Sequence, residues 1–427
     1  MVTSSSAPPP MHSALRARFG ISLFFFTNGA VFAGMVARYP EIKHRLGMSD
    51  GAFGLTVVAF SIGAMSATIL PSLFIRRLGA RATSLWWTAA LALAMGVAGV
   101  AANAGYTRLF MVALFLGGVC DAIVDTAQNS HAMRVQEACG RSIINSLHAL
   151  WSVGSVAGGA VGALAATHGV PLAVHLPAMS AVCFGLAALA TRLSRLPAAA
   201  SRPPHAEASG SAANGGGTAR LISLLPIAIV SIAGMQVEIV GMDWSANYLN
   251  DRVGWPSAEA GVVYVVTMVA QVVGRIAGDS MTDRRGRGRV ARAGMAMAAA
   301  GLSIAAAFPY SWAVIPGFAL AGFGSATIVP AAFAVADAAP GFRDGAALTV
   351  VGWIMRTGAV VTSPLIGTIS DAVGLRIGIL LPFALGGAAC FFFSRFDAAE
   401  GKQAAEGKQA AEGKQAAEGG VRKPDWR

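Results

Sequence analysis

Asp121 and Asp125 are two acidic residues within one long apolar segment. A spacing of four positions puts both carboxylates on one face of a helix, with Gln128 and Asn129 close by on a similar face. Two neighbouring carboxylates resist being ionised together, so one of them is a candidate for binding and releasing a proton. The alternative is a structural anchor to a neighbouring helix.

His148 and Glu238 are two further ionisable residues in apolar segments. His148 could approach Asp125 and form an Asp/His proton relay, because imidazole changes charge near neutral pH, or it could make a structural hydrogen bond. Glu238 requires a partner, a cavity or a proton at bilayer depth. The proton-coupling candidates are therefore Asp121, Asp125, Glu238 and His148.

A carboxylate stands beside an indole at Asp243 and Trp244, a pair that suits a polar or cationic solute. The alternative is a helix cap followed by an aromatic residue at the membrane interface. Arg356, with Trp353 one turn before it, is the basic residue farthest from the ends of its apolar segment. It could pair with Glu238 until that carboxylate is protonated, hold an anionic group of a solute, or form a permanent salt bridge.

Further polar residues lie in other apolar segments. Arg275 lies on one spiral with Tyr264 and Gln271, and we expect it to snorkel or to contact a loop. Asn28 could line a cavity or hydrogen-bond to a neighbouring helix. The predicted cavity-lining residues are Asn28, Asp243, Trp244, Tyr264, Gln271, Trp353 and Arg356.

Composition identifies the elements that position these residues. The 427 residues are 55% hydrophobic and 12% charged, with a mean hydropathy of +0.59, so lipid must be the solvent. Apolar runs of membrane-spanning length recur along the chain. We predict twelve spans, near 19–38, 53–75, 83–104, 107–130, 143–167, 171–192, 220–249, 258–281, 290–308, 311–336, 345–370 and 373–395.

The spans form two groups of six. Residues 19–192 and 220–395 are the predicted six-helix bundles, and residues 193–219, rich in Gly, Pro and Arg, are a flexible linker. Residues 1–18 are an N-terminal segment from which we expect no signal peptide to be removed. The tail, 396–427, repeats Ala-Ala-Glu-Gly-Lys-Gln and is expected to be disordered.

The basic residues set the predicted orientation. Lys and Arg are concentrated in the N-terminal segment, the linker and alternate loops, so both termini are predicted to be cytoplasmic. Topology therefore explains the net charge of +11 better than nucleic-acid binding does.

The sequence offers no catalytic pattern. Cys120, Cys139, Cys183 and Cys390 lack metal-ligand spacing and are interpreted as packing thiols. A Gly-rich Lys/Ser loop for ATP and a Ser/His or metal motif are missing, which argues against an enzyme. We expect no cofactor and a monomer whose partners are a small solute, protons or sodium ions, and the bilayer.

Several segments carry a resemblance to a known family. Residues 278–289, GDSMTDRRGRGR, resemble the loop signature of the major facilitator superfamily, and residues 76–81, RRLGAR, are its counterpart, with Arg76 where the family has Asp. Small residues recur at 158–162 and 363–367, where they let helices approach closely. The first of these stretches resembles an antiporter signature, with Gly159 in place of Pro. The residues matched to the loop signature are Gly278, Asp283, Arg284, Gly286 and Arg287.

Residues 26–29, 121–129, 146–152 and 243–245 resemble a bacterial branch of the superfamily that is distantly similar to fucose-type sugar/proton symporters. The resemblance implies an all-α polytopic fold in a bacterial inner membrane, with two pseudo-symmetric six-helix bundles that rock about a central site. It favours proton-coupled symport of a sugar-like or other small polar solute. The alternatives are proton-driven export of a metabolite or drug, and a membrane sensor that transports nothing.

Overall fold

The computed structural model describes residues 11–140, 143–196, 222–337, 339, 342, 346–386 and 389, and these residues form helices and short turns. Within these described residues, ten helices are long and apolar enough to cross a membrane, and one bent pair makes an eleventh candidate. The chain is thus an all-α polytopic membrane protein, as predicted. In chain order the helices are α1 Met11–Val36, α2 Tyr39–Arg45, α3 Asp50–Ser66, α4 Leu70–Leu78, α5 Ala80–Asn103, α6 Thr107–Cys139, α7 Ile144–Thr167, α8 Leu172–Leu193, α9 Leu225–Ile239, α10 Ser245–Val253, α11 Gly261–Arg285, α12 Arg287–Ala307, α13 Ser311–Ser325, α14 Ile328–Asp337, α15 Ala346–Val373 and α16 Leu375–Gly378.

Some predicted spans differ from the observed helices. The second span, 53–75, is broken at residues 67–69, because Pro71 lacks the N–H that would continue the helix and its ring clashes with the preceding turn. The fourth span extends to Cys139, since a helix can continue beyond the apolar stretch that hydropathy detects. Of the last predicted span, 373–395, the described part includes the apolar helix Leu375–Gly386. The linker and the tail lie outside the described residues.

A five-residue π-helical segment, Val240–Trp244, joins α9 to α10 within the seventh predicted span. A π turn inserts an extra residue into the helix and rotates the side chains that follow it. The segment contains Asp243 and Trp244. It therefore decides which way two of the predicted cavity residues point.

The helices α1–α8 form the first half of the protein and α9–α16 the second. Two equivalent turns, one in each half, have similar backbone angles. Gly79, between α4 and α5, has φ 79° and ψ 151°, and Gly286, between α11 and α12, has φ 84° and ψ 149°. Residues other than Gly rarely adopt a positive φ. The glycines at which the two stretches turn thus have nearly the same backbone conformation in both halves.

Glycines bring α1 and α7 into backbone contact. A Cβ added at Gly158 would lie 2.3 Å from the carbonyl oxygen of Ala30, and one at Gly162 would lie 2.3 Å from that of Gly34. Gly154 meets Phe26 in the same way, one helical turn earlier. The close approach predicted from residues 158–162 is therefore observed.

Gly158→Val is expected to destabilise the protein by at least about 2 kcal/mol, because the side chain would have to push two helix backbones apart. Thermal unfolding of the purified protein in detergent measures this effect. Gly185→Val, on α8, is the matched control, since a Cβ at Gly185 meets nothing within 4 Å. Equal unfolding temperatures for the two variants would contradict the prediction.

Two pairs of long helices pack closely across the boundary between the halves within the described residues. Along α3 and α15, a Cβ at Gly54 would lie 2.3 Å from the Ser363 carbonyl oxygen, and one at Gly367 would lie 2.3 Å from that of Asp50. Along α7 and α11, Gly159 packs against the ring of Tyr264. Between these two pairs of helices, the halves enclose a space.

Candidate functional site

A cavity of about 240 Å³ lies between the two halves. Its wall includes Asn28 of α1 and Asp121 of α6 from the first half. The second half contributes Asp243 and, from α11, Tyr264. Four of the predicted polar residues therefore meet in one space.

Apolar and aromatic groups complete the wall of the cavity. They come from six helices and the π-helical segment, so the space is sized and shaped for a small molecule with a few polar groups. The remaining lining residues are Gly29, Phe32, Ala33, Tyr39, Val57, Val58, Phe60, Ser61, Trp151, Ser155, Met235, Ile239, Met242, Ala359 and Ser363.

Ser363 holds the Asp243 carboxylate in position. Its hydroxyl donates to Asp243 Oδ2 at 2.6 Å and accepts from Trp244 Nε1 at 3.2 Å. A carboxylate whose second oxygen stays available can accept a proton or a donor group of a solute. Asp243 is thus oriented by α15 while it faces the cavity, and its alternative interpretation as a helix cap is wrong.

Trp244 packs between the halves instead of lining the cavity. Its ring is fully buried and meets Phe53 of α3 edge to face, with centroids 5.5 Å apart. The alternative interpretation of Trp244 as an aromatic residue at the membrane interface is therefore wrong. The indole stabilises contact between the halves, because the extra residue of the π-helical segment turns it inward.

Two buried polar atoms in the cavity wall have no hydrogen-bond partner among the described residues. They are Oδ1 of Asn28 and the hydroxyl oxygen of Tyr264. An unsatisfied buried polar group costs free energy, so a solute or a water molecule that hydrogen-bonds to it is stabilised there. These two atoms, together with Asp121 and Asp243, give the cavity its polar recognition groups.

Glu238 forms an ion pair with Arg275. The distance from Arg275 Nη2 to Glu238 Oε1 is 3.7 Å, and Gln271 interacts with the same carboxylate. Arg275 Nη1 also donates to Ser152 Oγ of α7 at 3.0 Å, which ties the two halves together. The expected Arg356–Glu238 pair and the expected snorkelling of Arg275 are wrong, because the spiral of α11 turns Arg275 inward toward α7 and α9.

Arg275→Gln and Glu238→Gln are each expected to destabilise the protein by about 1 to 2 kcal/mol, because each leaves an unpaired charge within the membrane. The double variant is expected to recover at least about 0.5 kcal/mol of the summed loss. Thermal unfolding of all four proteins in lipid nanodiscs measures this coupling. Strict additivity of the two losses would mean that the side chains do not interact.

Asp121 and Asp125 lie on the same side of α6, one turn apart, as predicted. Asp121 is half-buried in the cavity wall, whereas Asp125 is exposed and accepts a hydrogen bond from Asn129 Nδ2 at 3.1 Å. His148 is also exposed, and it interacts electrostatically with Asp125. The three groups run from the cavity toward the end of the protein at which α8 stops and α9 starts, here called the linker end.

Arg356 and Trp353 are exposed on α15 and lie outside the cavity wall. Arg356 interacts electrostatically with Asp125 across the space between the halves, and it makes no ion pair within 4 Å in the part of the chain that the structure describes. Gln271 is buried outside the cavity wall, and its Nε2 lies 3.4 Å from Ser325 Oγ. These three residues, predicted to line the cavity, therefore lie outside its wall.

The residues of the loop signature lie at the linker end. Gly278 packs against Thr327, where a Cβ would come within 2.4 Å of Thr327 Cγ2. Asp283 and Arg284 are exposed, and Gly286 forms the positive-φ turn that precedes Arg287. The signature thus closes the α11–α12 turn, and its role in conformational change stays a prediction.

At the opposite end, called the Lys43 end, polar residues join the halves. Lys43 Nζ pairs with Asp50 of its own half and with Asp251 of the other, the latter at 2.6 Å. His44 Nε2 lies 2.8 Å from Asn250 Oδ1. Asp371 Oδ2 accepts from Ser49 Oγ at 2.8 Å and from the Gly51 amide at 3.0 Å.

These contacts close the Lys43 end. Burial alone would lower the pKa of Lys43, but hydrogen bonds and charge interactions with Asp251 and Asp50 outweigh it and raise that pKa above its ordinary value. The ammonium group therefore keeps its charge throughout the physiological pH range. The sequence does not reveal this cluster, because its members lie in loops and helix ends far apart in the chain. Tyr39 and Ser363 likewise carry no charge that would mark them as cavity residues.

This fold and site define a class of protein. It is a multi-pass membrane protein whose two halves meet at one end and enclose a cavity with a few polar groups. Comparisons with known proteins agree. A model described as Major Facilitator Superfamily matches residues 227–424. An uncharacterised MFS-type transporter of Yersinia pestis is 30% identical over 321 residues, which cover 74% of this chain and 78% of the relative. An uncharacterised transporter of Sinorhizobium fredii is 28% identical over 359 residues, which cover 84% and 92%.

Solved structures show the same fold. A D-xylose-proton symporter matches with a TM-score of 0.66 at 16% identity, over 90% of this chain and 97% of the other. The fucose:proton symporter FucP of E. coli matches with a TM-score of 0.58 at 18% identity, over 90% and 99%. The chain belongs to the major facilitator superfamily of membrane transporters, as the resemblance implied.

Proposed function

We propose that this protein is a secondary active transporter that moves a small polar solute together with protons by alternating access. The observation that carries the proposal is the cavity between the halves, in which Asp121 of one half and Asp243 of the other share a wall with unpaired polar atoms of Asn28 and Tyr264. A solute bound there contacts both halves, so its binding can couple their movement.

The closed Lys43 end supports alternating access. Ion pairs and glycine contacts hold the halves together at that end, while exposed polar groups of both halves lie toward the linker end. With the termini in the cytoplasm, as the basic residues predict, this is an inward-facing conformation in a bacterial inner membrane. The outward-facing conformation requires the Lys43 contacts to break.

Asp121 is our candidate for the proton-binding group. It faces the cavity, and no Lys, Arg or His lies within ion-pair distance of it among the described residues. Glu238, by contrast, has Arg275 as its counter-ion. A carboxylate with no fixed counter-ion gains most from binding a proton within a membrane.

Proton flux in proteoliposomes tests the proposal. The purified protein is reconstituted with a pH-sensitive dye inside the vesicles, and sugars, nucleosides, amines and organic acids are added outside one at a time. We expect at least one polar solute to acidify the lumen, and protein-free vesicles are the control. Solute-dependent alkalinisation would indicate proton-driven antiport instead, and solute uptake without any proton movement would contradict proton coupling.

A further inference from the structure

A second pocket, of about 360 Å³, lies at the linker end of the first half, away from the central cavity. It is lined by the first turn of α5, by the last turns of α6 and by the residues that follow α8. Its charged and titratable residues are Arg81, His131, Arg134 and Arg195, and no carboxylate is among its lining residues. We call it the basic pocket.

The arginines of this pocket lie close together without an acidic partner among the described residues. Arg81 and Arg195 repel each other, and Arg81 and Arg134 both lie close to His131. None of the three arginines forms a salt bridge with Asp or Glu within the described parts of the chain. Like charges at close range are stabilised when an anion binds between them.

One buried hydrogen-bond donor of the pocket also lacks an acceptor among the described residues. Nε of Arg134 is buried and has no hydrogen-bond partner among the described residues. Arg81 Nη1 donates a long bond, 3.3 Å, to the carbonyl oxygen of Thr191, and His131 Nε2 lies 3.0 Å from that of Ser194. The guanidinium group of Arg134 therefore keeps a buried donor available for a ligand.

The start of α5 adds backbone donors to the same pocket. Gly79 precedes the helix and supplies no side-chain cap, while Gly79, Ala80, Arg81 and Ala82 all line the pocket. The free N–H groups of a helix start carry partial positive charge and bind anionic oxygens. Their position beside three arginines is the geometry that proteins use to hold phosphate groups.

We propose that the basic pocket binds a phosphate group, either in the headgroup of an anionic lipid or in a soluble phosphate compound. Arg81, Arg134 and the first turn of α5 contact the phosphate oxygens, and the exposed Arg195 adds charge at the mouth. The bound phosphate holds the ends of α5, α6 and α8 together. This site is separate from the transport cavity, and its test does not depend on any transported solute.

Binding to the full chain tests the proposal with two probes. Native mass spectrometry counts phosphatidylglycerol molecules retained by the protein, with phosphatidylcholine as the uncharged reference. Inorganic phosphate is tested separately by its effect on the unfolding temperature in phosphatidylcholine nanodiscs, against chloride at equal ionic strength. We expect R81Q/R134Q to lower the affinity for one of the probes roughly tenfold or more.

A matched control is available in the second half. Arg289 is exposed just after the equivalent turn at Gly286, and R289Q removes the same kind of charge outside both the central cavity and the basic pocket. We expect R289Q to keep wild-type binding. Loss of phosphatidylglycerol binding in R81Q/R134Q alone identifies a lipid headgroup, and loss of the phosphate effect alone identifies a soluble ligand.

The proposal is overturned if the wild-type protein binds neither probe, or if R81Q/R134Q and R289Q bind both probes equally well. Should R81Q/R134Q fail to fold, R195Q serves instead, because Arg195 is exposed at the mouth of the pocket. We expect R195Q to weaken binding several-fold, and wild-type affinity in R195Q would then overturn the proposal.

Discussion

Lys43→Gln is expected to open the Lys43 end of the protein. The substitution leaves Asp50 and Asp251 facing each other, with side chains only 13% and 22% exposed and no cation between them. Removing one partner of a mostly buried ion cluster costs about 3 kcal/mol, which corresponds to roughly a hundredfold change in the ratio of closed to open protein. Transport should slow as well, because the protein can no longer close this end efficiently.

Distances between spin labels at positions 106 and 310 measure the opening. Tyr106 and Tyr310 are exposed at the Lys43 end, one in each half, and the labels are attached to cysteines placed there in a background without the native cysteines. We expect the distance distribution to shift to longer values in K43Q. Partial return toward the closed distance is expected when Asp50 and Asp251 are also replaced by asparagine.

Arg45→Gln is the matched control for this experiment. Arg45 lies on the same helix, α2, and its Nε contacts Glu41 at 3.0 Å, but its side chain is 42% exposed and the pair lies within one half. An exposed pair of this kind contributes little to stability. An identical distance shift in R45Q and K43Q, or none in either, would contradict a gating role for Lys43.

Asp121→Asn is expected to abolish accumulation of the solute against its gradient while leaving exchange of the solute across the membrane intact. Asparagine has nearly the shape of the protonated carboxyl but cannot release a proton, so the protein can still change conformation with solute bound. The accumulation ratio should fall to that of simple equilibration. The assay uses the solute with the largest proton signal in the proteoliposome experiment.

Asp337→Asn provides a carboxylate control for this substitution. Asp337 is exposed at the end of α14, outside the cavity wall, and the same chemical change there should leave accumulation unaffected. Wild-type accumulation in D121N would exclude Asp121 as the proton-binding group. Loss of both accumulation and exchange would assign Asp121 to binding of the solute itself.

Much of the fold is predictable from the sequence because the bilayer imposes it. A segment of about twenty apolar residues must satisfy its backbone hydrogen bonds internally, so each such run in this chain indicates a helix. The glycines at 158 and 162 likewise predict close packing, since only residues without a large side chain let backbones touch. Pro71 and the π-helical segment at 240–244 are local deviations that an average of hydropathy does not detect.

Which of the polar residues share one site is decided by the tertiary structure. The sequence by itself determined an all-α membrane protein of this superfamily, and it marked Asp121, Asp243, Asn28 and Tyr264 as candidate site residues. Only the packed helices decided that these four share one cavity, that Arg275 neutralises Glu238, and that Lys43 joins two carboxylates from different halves. The physical reason is that hydropathy and spacing fix where a helix runs and which residues share its face, whereas contacts with neighbouring helices fix the direction in which that face points.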